Sequence, residues 1–247
     1  MNAGRCHSLV KADNQIFTDE LREVTLSSKN VLLSAEDIGD LSESSMKSLR
    51  VFLGARAREI KAFALVRSPY SLHCSAYSAM VTHGGRCIDP SKLLSQKQKI
   101  EKIKRVFGNL VCFYPFRSAL EFPGGPTAFL LNVVDSEMST KNFRFINANQ
   151  GPTNVQTRAQ AIFNQIHQKI QGGSPNPEWK RVKSIGQEKF LLTSQELDAL
   201  RGQLERENEF LRSVLGEQFC DHLYPVSPPV ERARLEAIIR DMQAGKN

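Results

Sequence analysis

The sequence has few cysteines, and they are not spaced in pairs. The five stand apart, with no CxxC pair: Cys6, Cys74, Cys87, Cys112 and Cys220. Zinc cages and disulfide frameworks of small domains normally show regular, paired spacings. The pattern therefore argues against both and favours a reducing compartment.

Long apolar runs are also missing. No stretch approaches the roughly 20 apolar residues that a membrane-spanning helix needs. Residues 1–15 have no apolar run after their positive charges, so they do not form a secretory signal. The 247 residues, 40% of them hydrophobic, are enough for one sizeable core. We expect a single domain over 1–247, with a helical appendage at about 190–247, and a chain that is complete at its N-terminus would be cytoplasmic.

The net charge of +7 favours partners that carry phosphate, but it does not choose between nucleotide, nucleic acid and anionic membrane. Much of the excess lies between Arg86 and Arg105. A nucleic-acid interface would ordinarily add interleaved aromatic residues or a helix that reads bases, and this segment has neither. We interpret the segment as a solvated helix face and expect no nucleic-acid partner.

Short apolar runs alternate with stretches of helical periodicity. The runs predict strands at Asn30–Ser34, Ile60–Val66, Leu110–Phe116 and Phe143–Ile146. Helical spacing predicts helices at about 41–53, 69–81, 154–170 and 197–215, and a basic helix within Arg86–Arg105. Residues 18–28 form a polar amphipathic stretch. The stripe of leucines from Leu197 to Leu215 would dock on the parent domain, although it also permits a homodimer.

The order of these elements predicts an α/β fold with three layers, α/β/α, around a mostly parallel sheet. The continuous apolar run Ile60–Val66 suits a central strand that is covered on both faces. Ligands of such sheets bind beyond the carboxyl ends of the strands. We therefore expect Ser34–Asp37 and Arg67–Ser75 near the same edge.

Arg67 stands at the exit of this predicted strand, directly before a helix. Ser68 is a suitable N-cap and Pro69 a suitable first helical residue. The unpaired N–H groups and the dipole of a helix N-terminus attract phosphate, and an arginine there would add a bidentate clamp. Ser75, about two turns into the helix, could reach the same anion. An equal alternative is that Arg67 pairs with a carboxylate and Ser75 only packs.

The run from Arg67 to Tyr77, RSPYSLHCSAY, resembles the 3′-phosphate-binding motif of sulfotransferases. That motif has an arginine at a strand end and a serine eight residues later. Asn30–Asp37, NVLLSAED, is similar to the "SSE" strand-end motif of bacterial carbohydrate-type sulfotransferases, with Ala35 where a serine is usual. Asn208–Gly216 resembles the family's C-terminal helix. The likeness therefore extends from Asn30 to Gly216.

This resemblance implies a fold like that of P-loop nucleotide triphosphatases. It also implies 3′-phosphoadenosine 5′-phosphosulfate as sulfuryl donor, with its 3′-phosphate held by Arg67 and Ser75 and with no metal. The acceptor would be a hydroxyl of a carbohydrate or a small molecule. Glu36, at the glutamate of the "SSE" motif, would be the general base that takes the hydroxyl proton, with Asp37 as a weaker alternative. An equal alternative is that Glu36 stabilises a helix N-terminus.

One departure from the family concerns the loop that binds the 5′-phosphosulfate. The motif GxxxxGK[ST] does not occur in the chain. We expect a family member that is truncated or remodelled at the N-terminus, with Arg5 and Lys11 as weak substitutes for the missing lysine. The alternative function is a catalytically inactive sulfotransferase-fold protein that serves as a nucleotide-binding or interaction module.

Overall fold

The computed structural model of the protein describes residues 19–26, 31–34, 36–84, 93–134, 151–171 and 173–244. The helices in these ranges are 19–26 (α1), Glu43–Gly54 (α2), Pro69–Thr82 (α3), Lys97–Phe107 (α4), Phe116–Glu121 (α5), Gly125–Val134 (α6), Asn154–Ile166 (α7), Ser194–Leu215 (α8) and Arg232–Gln243 (α9). The strands are Ala62–Val66 (β1), Val111–Pro115 (β2), Ile170–Gln171 (β3) and Ser174–Pro175 (β4). The strand predicted at Phe143–Ile146 lies outside the described residues.

The fold is α/β and mostly helical, with a small parallel sheet made of β1 and β2. A second pair, β3 and β4, is antiparallel, with Ile170 opposite Pro175. The finer expectation of a three-layer P-loop-like architecture is not confirmed in the part of the chain that the structure describes, and it stays a prediction.

Two expectations about strands were wrong for the described residues. Residues 31–34 form no strand and are exposed, because a short apolar run becomes a strand only where another strand can pair with its backbone. β1 has a single described neighbour, and Ala62–Leu65 are only half-buried, so β1 is not a central strand covered on both faces. The same apolar pattern occurs in a paired strand and in an unpaired segment, and in a central strand and in an edge strand. Tertiary neighbours decide which of these forms.

The first residues of the helices agree better with the sequence than the last residues do. The helix predicted over 154–170 ends at Ile166, and Ile170 lies in β3 instead. Ser42 caps α2 by accepting a hydrogen bond from the Ser45 N–H, and Thr153 caps α7 in the same way. Ser68 is the N-cap residue of α3, and Pro69 is the first helical residue. The predicted positions of Ser68 and Pro69 are confirmed, because the start of a helix depends on residues within one turn of it.

The chain divides into two compact units, and the division passes through β1 and β2. One unit contains Met1–Ala64 and Gln98–Cys112, and the other contains Leu65–Lys97 and Phe113–Asn247. In the first unit, Met46 of α2 packs against Val106 and Phe107 of α4 in a small apolar cluster.

The larger unit is built on α8. Leu197, Leu200 and Leu204 are buried in one cluster with aromatic and apolar residues of α3, and Leu211 is also buried. A second cluster joins α7 and α9 around Phe163. The prediction that the leucine stripe docks on the parent domain is confirmed, whereas homodimerisation stays a prediction.

None of the helices within the described ranges combines the length and the apolar character needed to cross a bilayer.

Candidate functional site

Arg67 lies at the carboxyl end of β1, where it meets the residue that follows β2. Its guanidinium carbon is 4.1 Å from the centroid of the Phe116 ring. Gln96 donates a hydrogen bond of 2.8 Å to the Arg67 carbonyl and so holds the backbone at this point. A guanidinium stacked on a ring keeps its N–H donors in the plane parallel to that ring. Phe116 therefore constrains the orientation of the Arg67 guanidinium.

The N-terminus of α3 is not capped by the side chain of its N-cap residue. The Ser68 hydroxyl makes no capping bond and instead donates 3.0 Å to Oδ2 of Asp221. The first-turn N–H groups of the helix consequently donate no hydrogen bond to the Ser68 side chain. They remain the positive end of the helix dipole, directly beside Arg67.

Ser75 lies off the buried face of α3. That face packs into the core through Tyr70, His73, Cys74, Tyr77 and Val81. Ser75 is half-buried, and its hydroxyl makes no hydrogen bond to another described residue. Ser71, four residues earlier on the same side, is exposed. Because Ser75 is about 9 Å along the helix axis from Pro69, an anion shared with Arg67 must lie alongside α3 rather than on its axis.

For Glu36, the predicted general base, the structure describes the backbone but not the side chain. Glu36 begins a 3₁₀ helix, Glu36–Asp40, which follows the exposed segment 31–34. The side chains of Glu36 and Asp37 lie outside the described residues, as do Arg5 and Lys11. The role of Glu36 as general base stays a prediction.

Sequence reasoning missed Asp221 and Asn208, which shape the larger unit around α3. Asp221 accepts the Ser68 hydroxyl and, through Oδ1, the Leu223 N–H. Buried Asn208 of α8 donates 2.8 Å to the Asp221 carbonyl and accepts its N–H at 3.3 Å. The available signal was a polar residue, four positions after Leu204, on the apolar stripe of α8.

Two acid–base groups on the buried face of α3, Cys74 and Tyr70, are protonated near neutral pH. Burial raises the pKa of the Cys74 thiol to about 11. Burial also raises the pKa of Tyr70, whose hydroxyl donates to the Pro225 carbonyl. A protonated thiol is a poor nucleophile, so neither group is a candidate for the chemistry of the site.

Several basic side chains of the segment 86–105 form ion pairs or hydrogen bonds with residues of the first unit. Lys99 pairs with Asp40 at 2.7 Å, and Arg105 lies 3.3 Å from Glu43. Lys102 donates 2.5 Å to the Leu41 carbonyl. Part of the positive charge expected on a solvated face therefore serves contacts within the first unit, which weakens the case for a phosphate-backbone interface there.

No family model, curated protein or solved structure matches this chain. The likeness to sulfotransferases rests on the motifs quoted from the sequence, and the function has to be argued from the site itself.

Proposed function

We propose that the protein binds a 3′-phosphorylated adenine nucleotide through Arg67 and Ser75 and transfers the sulfuryl group of 3′-phosphoadenosine 5′-phosphosulfate to a hydroxyl of a carbohydrate or small molecule. One observation carries the proposal. Arg67 directly follows β1, its guanidinium lies on Phe116 at the end of the paired strand, and Ser75 follows on the next helix. The three-layer P-loop-like architecture and a cytoplasmic location belong to the same proposal.

The charges beside α3 support a phosphate ligand. The helix N-terminus has a partial positive charge, and Arg67 adds a full one with paired N–H donors. The Asp221 carboxylate, held by Ser68, opposes an anion at the same end of the helix. The attraction from Arg67 and the helix N-terminus exceeds the repulsion from Asp221 if the phosphate lies along the side of α3 that contains Ser75, away from Ser68.

The proposed reaction moves one sulfuryl group and one proton. The acceptor oxygen forms a bond to sulfur while the bond from sulfur to the phosphate oxygen breaks, and adenosine 3′,5′-bisphosphate leaves. The hydroxyl proton goes to the general base, proposed as Glu36 on the sequence resemblance alone. The donor's negative charge is met by cationic side chains and backbone N–H groups, so the reaction needs no metal.

A second candidate is nucleotide binding without transfer, as an inactive module of the same fold. The observation that favours it is the missing GxxxxGK[ST] motif. Without a lysine at the leaving oxygen, the developing charge is left without its usual stabilisation, which is worth about 10²–10³-fold in rate for a single donor in other enzymes.

Calorimetry with adenosine 3′,5′-bisphosphate tests the binding step. We expect Arg67→Ala to weaken binding by about 10–100-fold, as for loss of a charge-assisted hydrogen bond. Ser75→Ala should cost less. Arg232→Ala is the matched control, because this exposed arginine on α9 pairs with Glu236 and should leave the affinity unchanged.

A comparison of ligands completes the binding test. Adenosine 5′-monophosphate, which lacks the 3′-phosphate, should bind at least tenfold more weakly to the unmodified protein. Equal affinity for the two nucleotides, or an unchanged affinity in Arg67→Ala, would contradict the proposal.

Incubation with labelled donor and a panel of hydroxyl acceptors then separates the two candidates. Transfer that Glu36→Gln abolishes supports the enzyme, and tight nucleotide binding without transfer supports the inactive module.

A further inference from the structure

Three side chains that ligate metals in other proteins meet just beyond the end of α8. Glu217, Cys220 and His222 each offer one ligand atom: a carboxylate oxygen, the Sγ and an imidazole nitrogen. These three atoms all lie within 4.8 Å of one another. The group arises from a stretch of six residues, EQFCDH, and has the spacing E-x-x-C-x-H.

The backbone around this group is held by contacts outside it. Helix α8 ends at Gly216, whose φ of +109° favours glycine, and a 3₁₀ turn over Glu217–Phe219 follows. Phe219 is buried and anchors the turn. Asn208 then fixes Asp221, the residue between Cys220 and His222, through hydrogen bonds to both its N–H and its carbonyl. Cys220 and His222 are therefore presented from a constrained segment.

The side chains are already directed toward one another. Arg212 donates 2.5 Å to Oε2 of Glu217 and, at the longer distance of 3.5 Å, also to Oε1. Oε1 lies 2.7 Å from Nε2 of His222. The Cys220 Sγ donates 3.2 Å to the Asn208 carbonyl. Glu217 and His222 are already hydrogen-bonded to each other, and the Cys220 thiol lies beside them. Only small shifts of these side chains are needed to bind an ion.

We propose that Glu217, Cys220 and His222 form a three-ligand site for a divalent transition-metal ion, with zinc as the best fit. Zinc takes oxygen, nitrogen and sulfur ligands together at about 2.0–2.3 Å, usually in a tetrahedron. Three protein ligands leave the fourth position for water. Ligands at such distances are roughly 3.3–3.8 Å apart, so the hydrogen bond between His222 and Glu217 opens as the ion enters.

Binding is a proton-for-metal exchange at sulfur. The S–H bond of Cys220 breaks, a bond from Sγ to the metal forms, and the proton passes to solvent. Ionised Glu217 donates a lone pair through Oε1, and His222 does so from Nε2 once the proton that faces Glu217 has moved to Nδ1 by exchange with solvent. One thiolate and one carboxylate offset the two positive charges of the ion, and Arg212, which stays bonded to Oε2, adds one positive charge beside the carboxylate.

None of the three ligands is a residue of the nucleotide proposal, although Asp221, which lies between Cys220 and His222, accepts a hydrogen bond from Ser68. The metal test therefore uses the chain without nucleotide. The site is also compatible with the cysteine spacing, which argues against a zinc cage. The absence of CxxC pairs excludes cages built from cysteines alone, whereas this set uses a single thiol with two ligands of other types.

Cobalt(II) titration of the reduced, metal-free full chain tests the proposal. A cobalt–thiolate bond gives a charge-transfer absorption band in the near ultraviolet, and we expect it to saturate at one equivalent and to disappear when zinc is added. Cys220→Ser should abolish the band. His222→Gln should weaken cobalt binding by more than about tenfold. Cys112→Ser is the matched control, since this exposed cysteine lies elsewhere and its loss should change nothing.

The variants also separate ligation from folding. The His222 side chain is 57% exposed, so His222→Gln should keep the thermal stability of the metal-free protein. The proposal is overturned if the unmodified chain gives no band, if the band persists in Cys220→Ser, or if His222→Gln binds cobalt as well as the unmodified chain.

Discussion

The Ser68 hydroxyl donates a hydrogen bond of 3.0 Å to the Asp221 carboxylate, which joins residues 153 positions apart in the chain. The bond connects the N-cap residue of α3 with the segment that follows α8. It directs the hydroxyl away from the helix N-terminus, and it brings a negative charge to the residue that follows Arg67 in the chain. Under the proposed function, the affinity for the nucleotide would therefore depend on Asp221 as well as on Arg67.

Asp221→Asn should raise the affinity for adenosine 3′,5′-bisphosphate. The amide keeps an acceptor for Ser68 but removes a negative charge near the bound phosphate, and we expect a gain of about three- to tenfold, equivalent to about 1 kcal/mol of repulsion in a partly solvated site. Calorimetry measures it. Asp198→Asn, on the exposed face of α8, is the control. A lower affinity in Asp221→Asn would argue that Asp221 positions Ser68 rather than repels the ligand.

Asn208→Ala should destabilise the larger unit. The buried Asn208 amide bonds the Asp221 backbone and the Tyr224 hydroxyl, so its removal leaves buried polar groups without partners. We expect a loss of about 2–3 kcal/mol in the free energy of unfolding, measured by urea denaturation. Glu209→Ala, the exposed neighbour, should change it by less than about 0.5 kcal/mol. Equal effects of the two substitutions would contradict this role of Asn208.

Glu196→Gln should remove an acid-sensitive part of the stability. Arg158 holds Glu196 in a bidentate pair, with both N–O distances 2.9 Å, and Glu196 also closes the capping box of α8. Burial raises the pKa of Glu196, but the bonds from Arg158 and Thr193 outweigh it and hold the pKa below its ordinary value of 4.5. We expect a loss of about 2–3 kcal/mol at pH 7.

The sign of the pH dependence follows from this lowered pKa. The contribution of Glu196 is fully present above pH 4.5 and is lost as the pH falls through the folded-state value. The stabilities of the unmodified chain and Glu196→Gln should therefore converge in acid, as measured by urea denaturation at several pH values. Glu236→Gln, in an exposed pair with Arg232, is the control and should have little effect at any pH. A gap that stays constant down to pH 3 would refute the ionic explanation.

Leu204→Ala should cost far more than Leu223→Ala. Both substitutions delete the same atoms, but Leu204 is 0% exposed in the α3–α8 cluster and Leu223 is 77% exposed. We expect about 2–5 kcal/mol for Leu204→Ala and less than about 0.5 kcal/mol for Leu223→Ala. Thermal melting measures both values. Similar melting temperatures would mean that the leucine stripe of α8 is not part of the core.

The candidate site was only partly predictable. Arg67, Ser68 and Ser75 were expected at a strand exit and on the following helix, and the structure has them at those positions. Phe116 and Asp221 were not foreseen as partners, because Phe116 begins α5 after β2 and Asp221 lies beyond α8. Nothing in the residues around Arg67 and Ser68 encodes which distant side chains contact them.

The metal-ligand group illustrates a different limit. Glu217, Cys220 and His222 are close in sequence, yet their spacing alone does not distinguish a site from a solvated turn. The turn brings them together because Gly216 ends the helix and Asn208 holds Asp221. The spacing of the three residues can be seen in the sequence, but that their side chains lie close together can be seen only in the tertiary structure.

By itself, the sequence determined most of the described helices and several of their first residues, although it predicted neither α5 nor α6. Caps such as Ser42 and Thr153, the proline that begins α3 and the apolar stripe of α8 act within one or two turns, so nearby residues contain the necessary information. Tertiary structure alone decided that 31–34 stays out of a sheet, that β1 has one described neighbour and that Ser68 bonds Asp221. Strand pairing and such hydrogen bonds gain their free energy from residues far along the chain, and local patterns do not report which of these partners will be within reach.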